Sequence, residues 1–165
     1  ADTANVLHHL QSVHRFSSAT TVLMGGSAGG LTALNTAISD ASLCAGVVVK
    51  YPVVDLVAML HSDDPFEGHY MPALIGSEAH ASERSPHNNA AALRGTPVLV
   101  FHGDQDHSVP LFHSERLRDA IEAVGGNIQW EVFAGEGHGF RNPVNMAREF
   151  AVTEEFLYSL MKNAR

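Results

Sequence analysis

The segment Gly25-Gly26-Ser27-Ala28-Gly29 fits the pattern G-x-S-x-G, and it falls between an apolar run and an Ala- and Leu-rich stretch. A serine at such a strand-to-helix turn holds its hydroxyl at the carboxyl end of the strand, where a neighbouring base can activate it for attack on a carbonyl. The small residues around it let strand and helix approach closely. The N–H of Ala28, at the start of the helix, is aimed to donate to the oxyanion that such an attack creates. Two other glycine-loop chemistries fit less well. A dinucleotide loop needs glycine where Ser27 stands, and a phosphate loop needs a Lys soon after it, whereas the first Lys downstream is Lys50.

A nucleophilic serine requires a base, and the base an acid that orients it, in the chain order Ser, Asp or Glu, His for this arrangement. Two loops offer them. One is His102-Gly103-Asp104-Gln105-Asp106-His107-Ser108-Val109-Pro110; the other is Gly135-Glu136-Gly137-His138-Gly139-Phe140. Both follow apolar runs, at the carboxyl ends where open α/β sheets gather their ligand sites. His138, set among three glycines, is the candidate base. For the acid, Asp104 and Asp106 share one loop, and Asp55 is a third candidate; Glu136 lies too close to His138 in sequence. The chain holds 11 histidines. Those other than His138 show no metal-ligand spacing and are read as surface residues, so no metal is expected.

The elements that position these residues follow from apolar patterning. Asp2 to about Arg15 reads as a helix with Val6, Leu7, Leu10 and Val13 near helical spacing, and 31–38 reads as another. Buried strands are expected at Thr20–Gly25, Ala45–Tyr51 and Thr96–Gly103, the second ended by Pro52. The segment 53–92 is irregular, with short helices near 56–60 and 71–75; within it, 61–85, with Phe66, Tyr70 and Met71, is expected either to line the acyl side of the site or to form a surface lid with no role in specificity. Leu111–Val124 is helical, Ile128–Phe133 alternates like an edge strand, and a last helix runs from Asn142 to about Lys162 with Phe150, Phe156, Leu157 and Leu160 as its apolar side. Apolar strands alternating with helices predict an α/β fold: a parallel sheet of four strands with helices on both faces.

Composition excludes several other classes. At 165 residues with 45% hydrophobic and 17% charged, the chain can bury the core of one domain and is not a charge-rich disordered segment. A net charge of −8 disfavours binding to a nucleic-acid backbone. No apolar run reaches the roughly 18–20 residues of a membrane span, and no signal segment opens the chain; a cytoplasmic location is the expectation. The one cysteine, Cys44, lies in an apolar stretch and is expected to be an inert core residue.

Taken together, Gly25-Gly26-Ser27-Ala28-Gly29-Gly30, His102-Gly103-Asp104-Gln105-Asp106 with Val109-Pro110, and Glu136-Gly137-His138-Gly139-Phe140-Arg141 resemble the catalytic end of an α/β-hydrolase, and more narrowly the prolyl oligopeptidase family of serine peptidases. The likeness spans the whole chain. It implies Ser27 as nucleophile, His138 as base and Asp106, the last residue of H-G-x-x-D, as the acid, with Asp104 a supporting loop residue and Ala28 an oxyanion donor. It further implies short peptide or acyl-amino-acid substrates and no metal or organic cofactor. Family members often carry an aromatic residue after the serine, where this chain has Ala28; the same form occurs in esterases of this fold, so ester substrates are the alternative. The hydrolase sheet has about eight strands, and this chain is expected to supply the last four as a C-terminal part of the catalytic domain. Its first strand would then have an unpaired edge for a missing N-terminal segment or another chain to complete, and residues 1–165 alone would be a weak catalyst. A different class of reading is a non-catalytic remnant that associates through that edge.

Overall fold

The computed structural model describes residues 2–14, 16–61 and 71–163. Phe66 and Tyr70 lie outside them. Along the chain come α1 (Asp2–His14), β1 (Val22–Gly26), α2 (Ala28–Ser39), β2 (Gly46–Lys50), α3 (Leu56–Leu60), α4 (Met71–Ile75), α5 (Glu78–Arg84), β3 (Val98–Gly103), α6 (Phe112–Ala123), β4 (Ile128–Phe133) and α7 (Pro143–Asn163). The four strands form one parallel sheet in the order β1-β2-β3-β4. This is a partial α/β-hydrolase fold, as the sequence predicts.

Why the strands are continuous apolar runs is visible in how the sheet is covered. Leu23, Val47, Val49, Val98 and Val100 face one side, where Ala33, Leu34 and Ala37 of α2 and Leu117 and Ile121 of α6 pack on them. Val48, Leu99, Phe101 and Phe133 face the other, under Val152, Phe156 and Leu160 of α7. With both faces buried, alternation would place polar atoms in the core, so β3 is buried at every position. Cys44 lies buried in the first cluster, where desolvation raises its thiol pKa.

Two expectations need correction, on the last helix and in the segment 53–92, whereas α1 forms as the sequence predicts. Phe150 does not join the apolar side of α7; it is 69% exposed, and Val152 takes that place. On α1, Val6 and Val13 are exposed and no residue is buried, although Leu7 packs against the core. Finally, the irregular segment is more ordered than its pattern predicts: it holds α5 and a run of 3-10 turns at Pro86–Leu93. Both starts carry local signals, a Ser77 side chain accepting from the His80 N–H and a proline at the first position of the turn.

β1 and β4 are the sheet edges. Along β1, Met24 is 58% exposed, although Val22 on the same strand packs against the cluster that α7 covers.

Candidate active site

Ser27 stands between β1 and α2 with φ 54° and ψ −124°, a conformation that L-residues rarely hold. The surroundings enforce it. The Ser27 N–H donates to the Lys50 carbonyl at 3.0 Å, and the Ser27 carbonyl accepts from Gly30 and Leu31. A Cβ on Gly25 would lie 2.2 Å from the Gly29 carbonyl oxygen, and one on Gly30 would lie 2.8 Å from Pro52 Cβ. Gly25 and Gly30 are therefore demanded by contact between strand, turn and helix. Ala28 is exposed and opens α2, so its N–H has no acceptor within the helix.

Across the strand ends, Asp106 and His138 meet. His138 Nδ1 lies 2.8 Å from Asp106 Oδ2, although 32 residues separate them. Asp106 Oδ1 accepts from the N–H groups of Ser108 and Val109 at 3.0 and 2.9 Å. Burial pushes the Asp106 carboxyl upward, but hydrogen bonds from His102, Val109 and His138 outweigh it and hold the group below the usual carboxylate range. A carboxylate can only accept here, so Nδ1 carries a proton and, in the neutral imidazole, the basic lone pair is on Nε2. The His138 side chain is 29% exposed, enough for a substrate to reach it.

Tyr51 links this pair to the serine turn. Its ring centroid lies 4.5 Å from that of His138, and its ring lies against Gly26, next to Ser27. Tyr51 itself holds φ 38°, a second strained residue beside the first. Sequence reasoning missed it; a tyrosine between a buried strand and a proline was its only signal. Among the described residues, no hydrogen bond joins Ser27 Oγ to His138, a contact that commonly tightens only around a substrate.

Two loops carry the acid and the histidine, and they are tied together. Asp104 Oδ1 accepts from the Gly135 N–H at 2.7 Å, and Gln105 donates its N–H to the Glu136 carbonyl at 2.8 Å. Asp104 is thus a loop tie, separate from His138. Asp55, the third acid candidate, belongs to another cluster: it caps α3 through the Ala58 N–H, pairs with Arg116 and lies 3.9 Å from His87 Nε2.

The reading of the remaining histidines as surface residues fails at two positions. His102 is fully buried, with Nδ1 2.6 Å from Ser114 Oγ, Nε2 2.8 Å from the Val109 carbonyl and 3.6 Å from Asp106 Oδ2. His113 is 1% exposed, and its Nδ1 accepts from the N–H groups of Val54 and Asp55. Desolvation keeps it neutral, with a pKa lowered to about 4 despite the nearby Asp55 charge. Both satisfy buried polar groups rather than solvent. Among the described residues, no group of three or more His, Cys, Asp or Glu side chains could hold a metal ion.

Comparison with known proteins agrees with this architecture. The family model described as the prolyl oligopeptidase family matches residues 1–164. Dipeptidyl aminopeptidase BIII of Pseudoxanthomonas mexicana is 31% identical over 146 residues, which are 82% of this chain and 21% of that protein. Isoprenylcysteine alpha-carbonyl methylesterase of Arabidopsis thaliana is 25% identical over 99 residues, covering 56% of this chain and 23% of the relative. The crystal structure of a puromycin hydrolase superposes with a TM-score of 0.88 at 29% identity, over 96% of this chain and 24% of that one. The chain therefore spans about a fifth to a quarter of the length of these relatives.

Proposed function

The chain belongs to the prolyl oligopeptidase family, and from that membership we propose that it carries the reacting groups of a serine peptidase acting on short peptides through an acyl-enzyme. Ser27 Oγ attacks the scissile carbonyl. His138 Nε2 takes the hydroxyl proton and returns it to the leaving amine. Asp106 holds the tautomer and stabilises the imidazolium that forms. The Ala28 N–H donates to the oxyanion. Water then attacks the acyl-enzyme by the same route in reverse, with His138 again as base. No step calls for a metal or an organic cofactor.

The observation that carries this reading is the 2.8 Å His138–Asp106 contact at the strand ends beside a serine in a strained turn. A relative named as a dipeptidyl aminopeptidase, at 31% identity, supports the peptidase assignment. The methylesterase relative supports a second reading, hydrolysis of a carboxylic ester by the same groups. We also propose that further strands pair with the outer edge of β1 and bring a second oxyanion donor.

Labelling with a fluorophosphonate probe tests the nucleophile: wild-type protein takes up the label and Ser27→Ala does not. Turnover of proline-containing peptide p-nitroanilides in preference to p-nitrophenyl acetate supports the peptidase. The reverse preference supports the esterase, and absence of label on wild-type protein overturns both.

A further inference from the structure

We propose that Glu136 is a positioning residue for His138, its carboxylate clasping the loop that presents the imidazole to Asp106. The proposal rests on the reading of His138 as the base. The loop from Gly135 to Asn142 has glycine at 135, 137 and 139, two of them in positive-φ conformations. Glycine has the most backbone freedom to lose, so such a loop does not hold a side chain in place by itself. Something must fix it.

Glu136 does so from within. It is 4% exposed. Its Oε2 accepts from the Arg141 N–H at 2.9 Å, and its Oε1 from the Asn142 N–H at 2.8 Å and Asn145 Nδ2 at 2.9 Å. All three donors follow His138 in the chain. The carboxylate therefore closes a ring of backbone with His138 in its middle, and anchors that ring to the first turn of α7. The Glu136 backbone faces the other way: its carbonyl accepts from Gln105, in the loop of Asp106, and a Cβ on Gly103 would lie 2.2 Å from it. One residue thus grips the helix with its side chain and the acid loop with its backbone. Hydrogen bonds from Asn145, then Arg141 and Asn142, hold the Glu136 carboxyl below its usual range, so it stays ionised and accepts charge-assisted bonds near neutral pH.

The consequence is for His138. Its Nδ1 must stay on Asp106 while Nε2 meets the serine hydroxyl, and displacement by about 1 Å can cost about 10²-fold in rate. The test compares wild type, Glu136→Ala, Glu136→Gln and Ser27→Ala in the full-length protein. It measures kcat and KM, the rate of fluorophosphonate labelling, and the low-field proton resonance of the His138–Asp106 hydrogen bond. Glu136→Ala is expected to lower kcat about 10²-fold at unchanged KM, slow labelling in step, and broaden or abolish the low-field resonance while near-UV circular dichroism is retained. Glu136→Gln should fall between, because its amide keeps one acceptor oxygen but turns an NH2 group onto an N–H donor. Retention of kcat and of the resonance in Glu136→Ala overturns the proposal. If Glu136→Ala does not fold, Glu136→Gln decides alone, and wild-type kcat in it overturns the proposal. Activity persisting in Ser27→Ala instead overturns the underlying assignment of the reacting groups.

Discussion

His138 Nδ1 faces Asp106 Oδ2 at 2.8 Å, while the other oxygen of that carboxylate is occupied by the backbone N–H groups of Ser108 and Val109. The acid is therefore fixed by its own loop before the histidine arrives. Its orientation does not depend on the partner it orients.

From this division of labour, Asp106→Asn is expected to keep the loop and lose the chemistry. The asparagine oxygen can still accept from Ser108 and Val109. Its NH2 group then faces His138 Nδ1 and forces the proton onto Nε2, the wrong tautomer for a base. A loss of about 10⁴-fold in kcat is the expectation, with the fold retained. Steady-state kinetics on a peptide p-nitroanilide checks it, and a loss below tenfold contradicts the assigned role.

Much of this site was legible in the sequence because its signals are local. Gly25 answers to a steric contact within the motif, with the Gly29 carbonyl. His138 and Asp106 come from loops whose position follows from the strand order alone. What escaped depends on partners far along the chain. His113 receives its hydrogen bonds from residues 58 and 59 positions away, and nothing in the pattern around it marks a buried imidazole. Val6 and Phe150 have helical spacing that fits a core face, yet helical spacing does not say whether a surface lies opposite.

His113 gives the stability of the fold a defined pH dependence. Its folded-state pKa of about 4 lies below the value of 6.5 for an unperturbed histidine. The unfolded chain therefore binds this proton first as pH falls. Stability is fully present above about 6.5 and is lost progressively down to about 4, by on the order of 3 kcal/mol. Asp106 acts in a lower window: its depressed carboxyl pKa contributes stability above the ordinary carboxylate range, lost only as pH falls through the depressed value. Urea melts at pH 7 and pH 4.5 should show the larger loss in wild type and a shallower pH slope in His113→Gln. Equal slopes contradict the assignment.

Two glycines of the serine turn should respond oppositely to alanine. At Gly25 the new Cβ would meet the Gly29 carbonyl oxygen at 2.2 Å, and backbone must move. A loss of about 3 kcal/mol or more is expected, together with the geometry of Ser27. At Gly29, in the first turn of α2, nothing lies within 4 Å of the Cβ position. Gly29→Ala should leave stability unchanged or raise it by about 0.4–1 kcal/mol. Thermal melts of the two variants check the contrast.

The outer edge of β1 governs what residues 1–165 can do when expressed by themselves. Among the described residues that strand pairs with β2 alone, Met24 on it is 58% exposed, and Val6, Val13 and Phe16 are more than half exposed as well. An unpaired strand edge is a template for association with another chain, and exposed apolar side chains add to that tendency. In the proposed mechanism the oxyanion has one donor assigned among the described residues, the Ala28 N–H. Loss of a single such donor costs about 10²–10³ in turnover. On the proposal that further strands pair with β1, residues 1–165 expressed by themselves should self-associate, shown by light scattering, and label with fluorophosphonate far more slowly than a form in which that edge is paired. Met24→Lys should reduce the association by charging the strand, without restoring the rate. A monomer of residues 1–165 that labels as fast as a form with the edge paired would show that the β1 edge needs no partner.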